Sequence, residues 1–175
     1  QNGDTAIWDK LQQTGHETVS TEVFAKMADT QTPQGILTVL EQPVYDLTQL
    51  LEQPDPLFLM LENLQDPGNL GTMIRTGEGA GITGVIMNNQ TVDIFNPKTI
   101  RATMGSIFRV PFVYVPDLAL VLEQMHAKGI YTYAAHLKGR EYYDSFSFRE
   151  PTAFLIGNEG NGLSKEISDQ AGPVS

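Results

Sequence analysis

Residues 57–87 read LFLMLENLQDPGNLGTMIRTGEGAGITGVIM, and this stretch decides the fold. It opens on an uninterrupted apolar run, Leu57 to Leu61, and closes on a second, Val85 to Met87. Between them Leu70, Met73, Ile74 and Gly77 recur at helical spacing, which predicts a helix over Leu70 to Ala80 with one buried stripe. Strand, helix and strand in so short a span make a βαβ unit, and runs without polar alternation suit parallel strands covered on both faces. The pattern repeats downstream. Apolar runs at Pro111 to Val115, Ile130 to Ala135 and Ala153 to Ile156 alternate with helix candidates at Pro97 to Met104, Leu118 to Lys128 and Ser164 to Asp169. The expected fold class is α/β, a parallel sheet flanked by helices, with ligands bound beyond the carboxyl ends of its strands.

Upstream, Val23 to Met27 predicts a short helix, Thr32-Pro33-Gln34-Gly35 a turn, and Ile36 to Leu40 a strand. A polar stretch with Pro43 and Pro54 follows. The expected organisation is the end of a smaller element over residues 1–42, a linker over 43–56 and the main domain over 57–175.

Composition narrows the function. A chain of 175 residues suffices for one main domain. No apolar run approaches the roughly 18 residues a membrane span needs, and Gln1 to Lys10 is polar and acidic, unlike a secretory signal. The chain has no cysteine, which excludes disulfides and thiolate metal sites and fits a soluble cytoplasmic protein. A net charge of −10 argues against a long basic surface tracking nucleic acid. From Pro67 to Pro111, however, Arg75, Lys98, Arg101 and Arg109 face only Glu78 and Asp93, so a local cationic site on an acidic body is expected.

Three segments carry candidate chemistry, and each has a plain structural reading beside the functional one. In Gln65 to Glu78, Asn69 is either a helix cap or a site residue, and Arg75, opposite the apolar stripe, is either a solvated charge or a ligand-edge cation. In Phe154-Leu155-Ile156-Gly157-Asn158-Glu159-Gly160-Asn161-Gly162-Leu163-Ser164, a strand runs into three glycines around one carboxylate: a tight turn capped by Ser164, or a loop that admits a ligand to its backbone. In Asn96 to Pro111, Pro97 suits a first helical turn, and Lys98 and Arg101 share a face that is either solvated or binding. Gly79-Ala80-Gly81-Ile82-Thr83-Gly84 matches a dinucleotide fingerprint by letter but leaves a helix for a strand, the reverse of the required context. His16, His126 and His136 lack ligand spacing, so no metal site is expected, and no nucleophilic triad is visible.

Together these residues resemble the SpoU (TrmH-like) branch of the SPOUT RNA methyltransferases. Asp66-Pro67-Gly68-Asn69 to Arg75 resembles the family's first motif, Ile156 to Ser164 its second, and Lys98 to Pro111 the segment linking them. Thr32 to Leu37 resembles the last strand of the small substrate-binding α/β domain that precedes the catalytic domain in ribosomal RNA members, which favours rRNA over tRNA. The third motif, a strand followed by a Ser-Leu-Asn segment and a terminal helix, should begin about where the sequence stops at Ser175.

The resemblance implies a trefoil-knotted domain that transfers the methyl of S-adenosylmethionine to a ribose 2′-hydroxyl, with 23S rRNA the expected substrate. It implies catalytic roles for Arg75, Asn69 and Glu159, and a cofactor held around Ile156, Gly157, Asn158, Gly160 and Ala135. Arg75, Lys98, Arg101 and Arg109 would meet the RNA, and two copies would form a homodimer with shared sites. The rival expectations are a knotted protein that binds RNA or a small molecule without catalysis, and an unrelated α/β nucleotide-binding domain.

Overall fold

The structure is a computed structural model and describes residues 2–28, 30–135 and 145–174. Contacts divide the chain into two units, Gln1–Gln42 and Pro43–Ser175. The first holds α1 (Asn2–Thr14) and α2 (Thr21–Met27). The Ser20 hydroxyl caps α2 by accepting the Val23 N–H at 3.3 Å. Helix α1 lies in a stretch whose polar composition gave the sequence reading no signal. The expected strand at Ile36 to Leu40 does not form: this segment has no ladder partner, and Val39 and Leu40 are 89% and 63% exposed. A strand exists only by pairing, and the described residues of this unit offer it no neighbouring strand.

The second unit runs α3 (Leu47–Leu51), β1 (Leu57–Leu61), α4 (Pro67–Ala80), β2 (Gly84–Asn88), α5 (Pro97–Thr103), a 3-10 turn (Ser106–Phe108), β3 (Phe112–Val115), α6 (Leu118–Ala127), β4 (Tyr131–Ala135), β5 (Thr152–Ile156), α7 (Lys165–Gln170) and β6 (Gly172–Val174). The expected linker over 43–56 is corrected here: Asp46 caps α3, and the adjacent Leu50 and Leu51 are buried against Phe58 and Leu122. Two leucines on one helical turn outweigh the polar residues around them. Among the described residues no helix is long and apolar enough to cross a membrane.

The six strands are all parallel, in the order β3-β2-β1-β5-β4-β6. Helices α4 and α5 and the 3-10 turn cover one face, where Leu70, Ile74 and Ile107 meet Val85, Met87 and Phe112. Helices α3, α6 and α7 cover the other, where Leu122, Met125 and Ile167 meet Phe58, Ile86 and Leu155. Burying each such side chain stabilises the fold by about 1.5–3 kcal/mol. Gly71 lets α4 and α5 close together, since a Cβ there would lie 2.5 Å from Ala102 Cβ and 2.7 Å from the Thr99 carbonyl. Gly81, in the left-handed conformation at φ 74°, ends α4 and turns the chain into β2, which disposes of the dinucleotide pattern.

The strand order fixes where a ligand fits. From β1 the chain steps outward through β2 and β3, then crosses to the far side of β1 for β4 and β5. Neighbouring strands β1 and β5 thus send their helices, α4 and α7, to opposite faces of the sheet. In open α/β sheets such a switch places the ligand crevice at the carboxyl edge between the two strands.

Candidate active site

The loops that meet at this crevice are residues 62–66, leaving β1, and 157–164, leaving β5. Glu159 joins them. Its Oε1 accepts the Asp66 N–H at 2.9 Å and the Asn69 side-chain amide at 3.3 Å, and its Oε2 accepts the Gln65 N–H at 3.1 Å. The carboxylate therefore lies over the first turn of α4, where exposed N–H groups favour negative charge. Burial pushes its carboxyl up, but the N–H donors of Asp66, Gln65 and Asn69 outweigh that and hold it below the usual range.

The capping reading of Asn69 is replaced. Asp66 caps α4, its Oδ1 accepting the Asn69 N–H at 2.7 Å, which leaves the Asn69 side chain to reach Glu159. The other Asp66 oxygen holds Lys98 Nζ at 3.1 Å, and the Asn69 N–H followed by Lys98 lowers the Asp66 pKa.

The four cations separate into two kinds. Arg109 grips Glu78 through Nε and Nη2, the latter at 3.0 Å, and Ser106 donates to the same carboxylate. Those bonds, Arg109 first, pull the Glu78 pKa down to about 2. Lys98 is paired with Asp66. Arg75 and Arg101 are exposed and, among the described residues, have no ion-pair or hydrogen-bond partner. Arg75 is six residues beyond Asn69, about 120° round the helix at 100° per residue, so the two side chains do not share a face.

The glycine loop is built first for itself. A Cβ on Gly157 would lie 2.1–2.3 Å from backbone atoms of Gly162 and Leu163, so this glycine is required by the turn. Asn158 and Gly162 exchange N–H···O=C bonds at 3.0 and 2.8 Å. The Asn158 side chain is fully engaged: Oδ1 accepts the N–H groups of Gly160 and Asn161, and Nδ2 donates to the Asn63 carbonyl at 2.9 Å. The outer edge is bare, since a Cβ at Gly162 would meet nothing within 4 Å. Ile156 ends β5, its carbonyl accepting the Glu62 N–H of the loop after β1, and Ala135 ends the next strand, β4, beside Val174 of β6.

Glu62, Asn63 and Asn88 escaped the sequence reading. Glu62, buried, accepts the Ser164 N–H at 2.6 Å, and Asn63 and Asn88 bond each other across β1 and β2. Their signal was position: each follows or ends an apolar run at a strand's carboxyl end. His16 and His126 lie in different units and contact the Leu11 carbonyl and Thr132 hydroxyl, while His136 lies outside the described residues. Among the described residues no cluster of potential metal ligands occurs.

A parallel α/β sheet with a glycine loop and an Asn–Glu contact at its carboxyl crevice defines the class. Residues 56–174 match the SpoU rRNA Methylase family, and the chain belongs to it. It is 34% identical over 152 residues to the 23S rRNA (guanosine(2553)-2'-O)-methyltransferase RlmP of Bacillus subtilis, covering 87% of this chain and 59% of that one. Over 160 residues it is 31% identical to the 23S rRNA (uridine(2479)-2'-O)-methyltransferase of Streptomyces viridochromogenes, covering 84% and 56%. Among solved structures it resembles an AdoMet-bound rRNA methyltransferase from Sinorhizobium meliloti, with TM-score 0.81 and 33% identity over 89% of this chain and 59% of that one. The chain thus spans just over half the length of these relatives.

Proposed function

We propose that this chain is the catalytic part of an S-adenosylmethionine-dependent methyltransferase acting on a ribose 2′-hydroxyl of ribosomal RNA, 23S rRNA first. The observation that carries this is the Glu159 clasp, which joins the two motif loops at the crevice and holds Asn69 there. The named methyltransferases among the relatives favour catalysis over binding alone.

The residues present fit the cofactor: the loop of Gly157, Asn158 and Gly160 is held in one shape by its own bonds, its outer edge at Gly162 is open, and β5 and β4 end nearby at Ile156 and Ala135. The cofactor supplies an electrophilic methyl on a sulfonium centre. The chain's own part is positioning. Glu159 and Asn69 orient the first turn of α4, and the unpaired Arg75 clamps an RNA phosphate and stabilises the developing alkoxide. Its pKa above about 12 makes it a poor base, so the hydroxyl proton leaves through that phosphate to solvent. Arg101 adds affinity for RNA. Arg75 points away from Asn69 and Glu159, which supports a homodimer in which each site draws Arg75 from one copy and Glu159 from the other. A cytoplasmic place of work goes with this reading.

The whole protein, incubated with methyl-labelled cofactor and ribosomal RNA, should produce one alkali-resistant linkage in the RNA. Cofactor binding without any incorporation would replace the enzyme by a binding protein. Co-expressed Arg75→Ala and Glu159→Ala copies, each inactive alone, should recover part of the activity; heterodimers without recovery would place the site within one copy.

A further inference from the structure

Asn88, the last residue of β2, is 8% exposed, and its side chain meets the site only through Asn63 of the loop that leaves β1. Its Oδ1 accepts the Asn63 N–H at 2.9 Å and the Thr91 hydroxyl at 2.8 Å, and its Nδ2 donates to Asn63 Oδ1 at 2.8 Å. The orientation of this amide is forced. A backbone N–H can only donate, so the oxygen faces Asn63 N and the nitrogen faces Asn63 Oδ1. Asn63 has φ 56°, a left-handed conformation that asparagine tolerates better than most residues. Held in that conformation, Asn63 aims its carbonyl at the next loop, where it accepts the Asn158 side chain at 2.9 Å and the Gln65 side chain at 3.1 Å.

The chain of contacts is continuous. Asn88 fixes Asn63, Asn63 fixes Asn158 at the base of the glycine loop, and two residues further on the N–H groups of Gln65 and Asp66 receive Glu159. Asn88 is buried with both ends of its amide bonded, which specifies one arrangement, and losing either member leaves the other's bonding atoms unpaired. We propose that the reciprocal Asn63–Asn88 amide pair is a positioning device: it sets the separation between the loop that starts α4 and the loop that carries Glu159. Both act through protein partners, Asn63 through Asn158 and Gln65 and Asn88 through Asn63, and the proposal rests on the methyltransferase reading only for its kinetic consequence.

The test uses the whole protein with Asn63→Gly, which keeps the left-handed backbone but deletes the side-chain bond, Asn88→Leu, which deletes both sides, and Asn63→Asp, which keeps the acceptor. In the first two, amide hydrogen exchange at Gln65 and Asp66 should rise at least about tenfold while the sheet amides of Leu59 and Ile86 keep their protection. The turnover rate on RNA should fall about tenfold or more with the KM for S-adenosylmethionine little changed, as expected for misplaced groups rather than a lost pocket. Asn63→Asp should retain wild-type exchange and turnover. Lower melting temperatures with unchanged turnover and unchanged Gln65 and Asp66 protection would reduce the pair to ordinary core stability and overturn the proposal. If the wild-type protein methylates no RNA, the functional reading falls by itself. The exchange data then decide the positioning device alone, and unchanged protection overturns it.

Discussion

Helix α4 carries charged groups at both ends, and they do different things. At its N-terminal end Asp66 and Glu159 surround the open first turn, and the side chain they leave reaching into the crevice is Asn69. At its C-terminal end Glu78 is closed off by Arg109 and Ser106, tying the helix to the 3-10 turn beyond α5. Between the two, Arg75 is exposed and without a partner among the described residues. The contrast teaches that a count of cations overstates the binding surface: Lys98 and Arg109 neutralise carboxylates of their own chain, while Arg75 and Arg101 keep their charge for something else.

The largest expected effect lies in the middle of that helix. Arg75→Lys should lower the methylation rate by at least roughly 100-fold, near 2.7 kcal/mol, because lysine cannot reproduce a two-bond grip on phosphate. Cofactor affinity and melting temperature should stay near wild type, since Arg75 faces away from the buried Leu70 and Ile74. Near-normal turnover would make Arg75 a solvated charge. A stability effect of comparable size belongs to the other motif: Gly157→Ala forces a methyl onto the Gly162 backbone and should cost about 1–3 kcal/mol, read by denaturant unfolding.

A smaller effect separates the two kinds of cation. Arg101→Ala should weaken RNA binding and reduce the slope of log affinity against log salt by about one. Lys98→Ala, which removes an internal pair, should change the slope less. Equal losses from both would mean that Lys98 leaves Asp66 for phosphate when RNA arrives.

The sheet and its main helices were legible because burial on two faces leaves unbroken apolar runs such as Leu57 to Leu61, and because Leu70, Ile74 and Gly77 keep helical period. The family resemblance named the candidate site residues, and of these the structure brings Asn69 and Glu159 into contact. What could not be read was pairing. Asp66 and Asn69 are both good caps by type, and only the turn geometry shows that Asp66 takes the role. Asn63 and Asn88 lie 25 positions apart, and nothing in either neighbourhood reveals the partner. Ile36 to Leu40 has the composition of a strand, but composition cannot supply the neighbour a strand needs.

The smallest expected effect tests the closed end of α4 through pH. Glu78 titrates at about 2 in the folded protein, below its ordinary value of 4.5, because Arg109 and then Ser106 bond its ionised form. A carboxyl whose folded pKa is depressed contributes stability that is fully present above the ordinary value and is lost as pH falls through the folded one. The window therefore runs from about pH 4.5 down to about pH 2. Glu78→Gln removes the titration, so its melting temperature should lie below wild type by a constant small amount from pH 7 to pH 5. That gap should narrow steadily as the pH drops further. Salt should shrink it as well, because the pair is partly exposed and its attraction is screened. Turnover on RNA, by contrast, should stay close to wild type, since Glu78 is three residues beyond Arg75 and bonded away from the crevice. A gap that persists unchanged at pH 3 would mean that shape and not charge holds Arg109 there. A marked loss of turnover would extend the working surface of α4 from its first turn to its last.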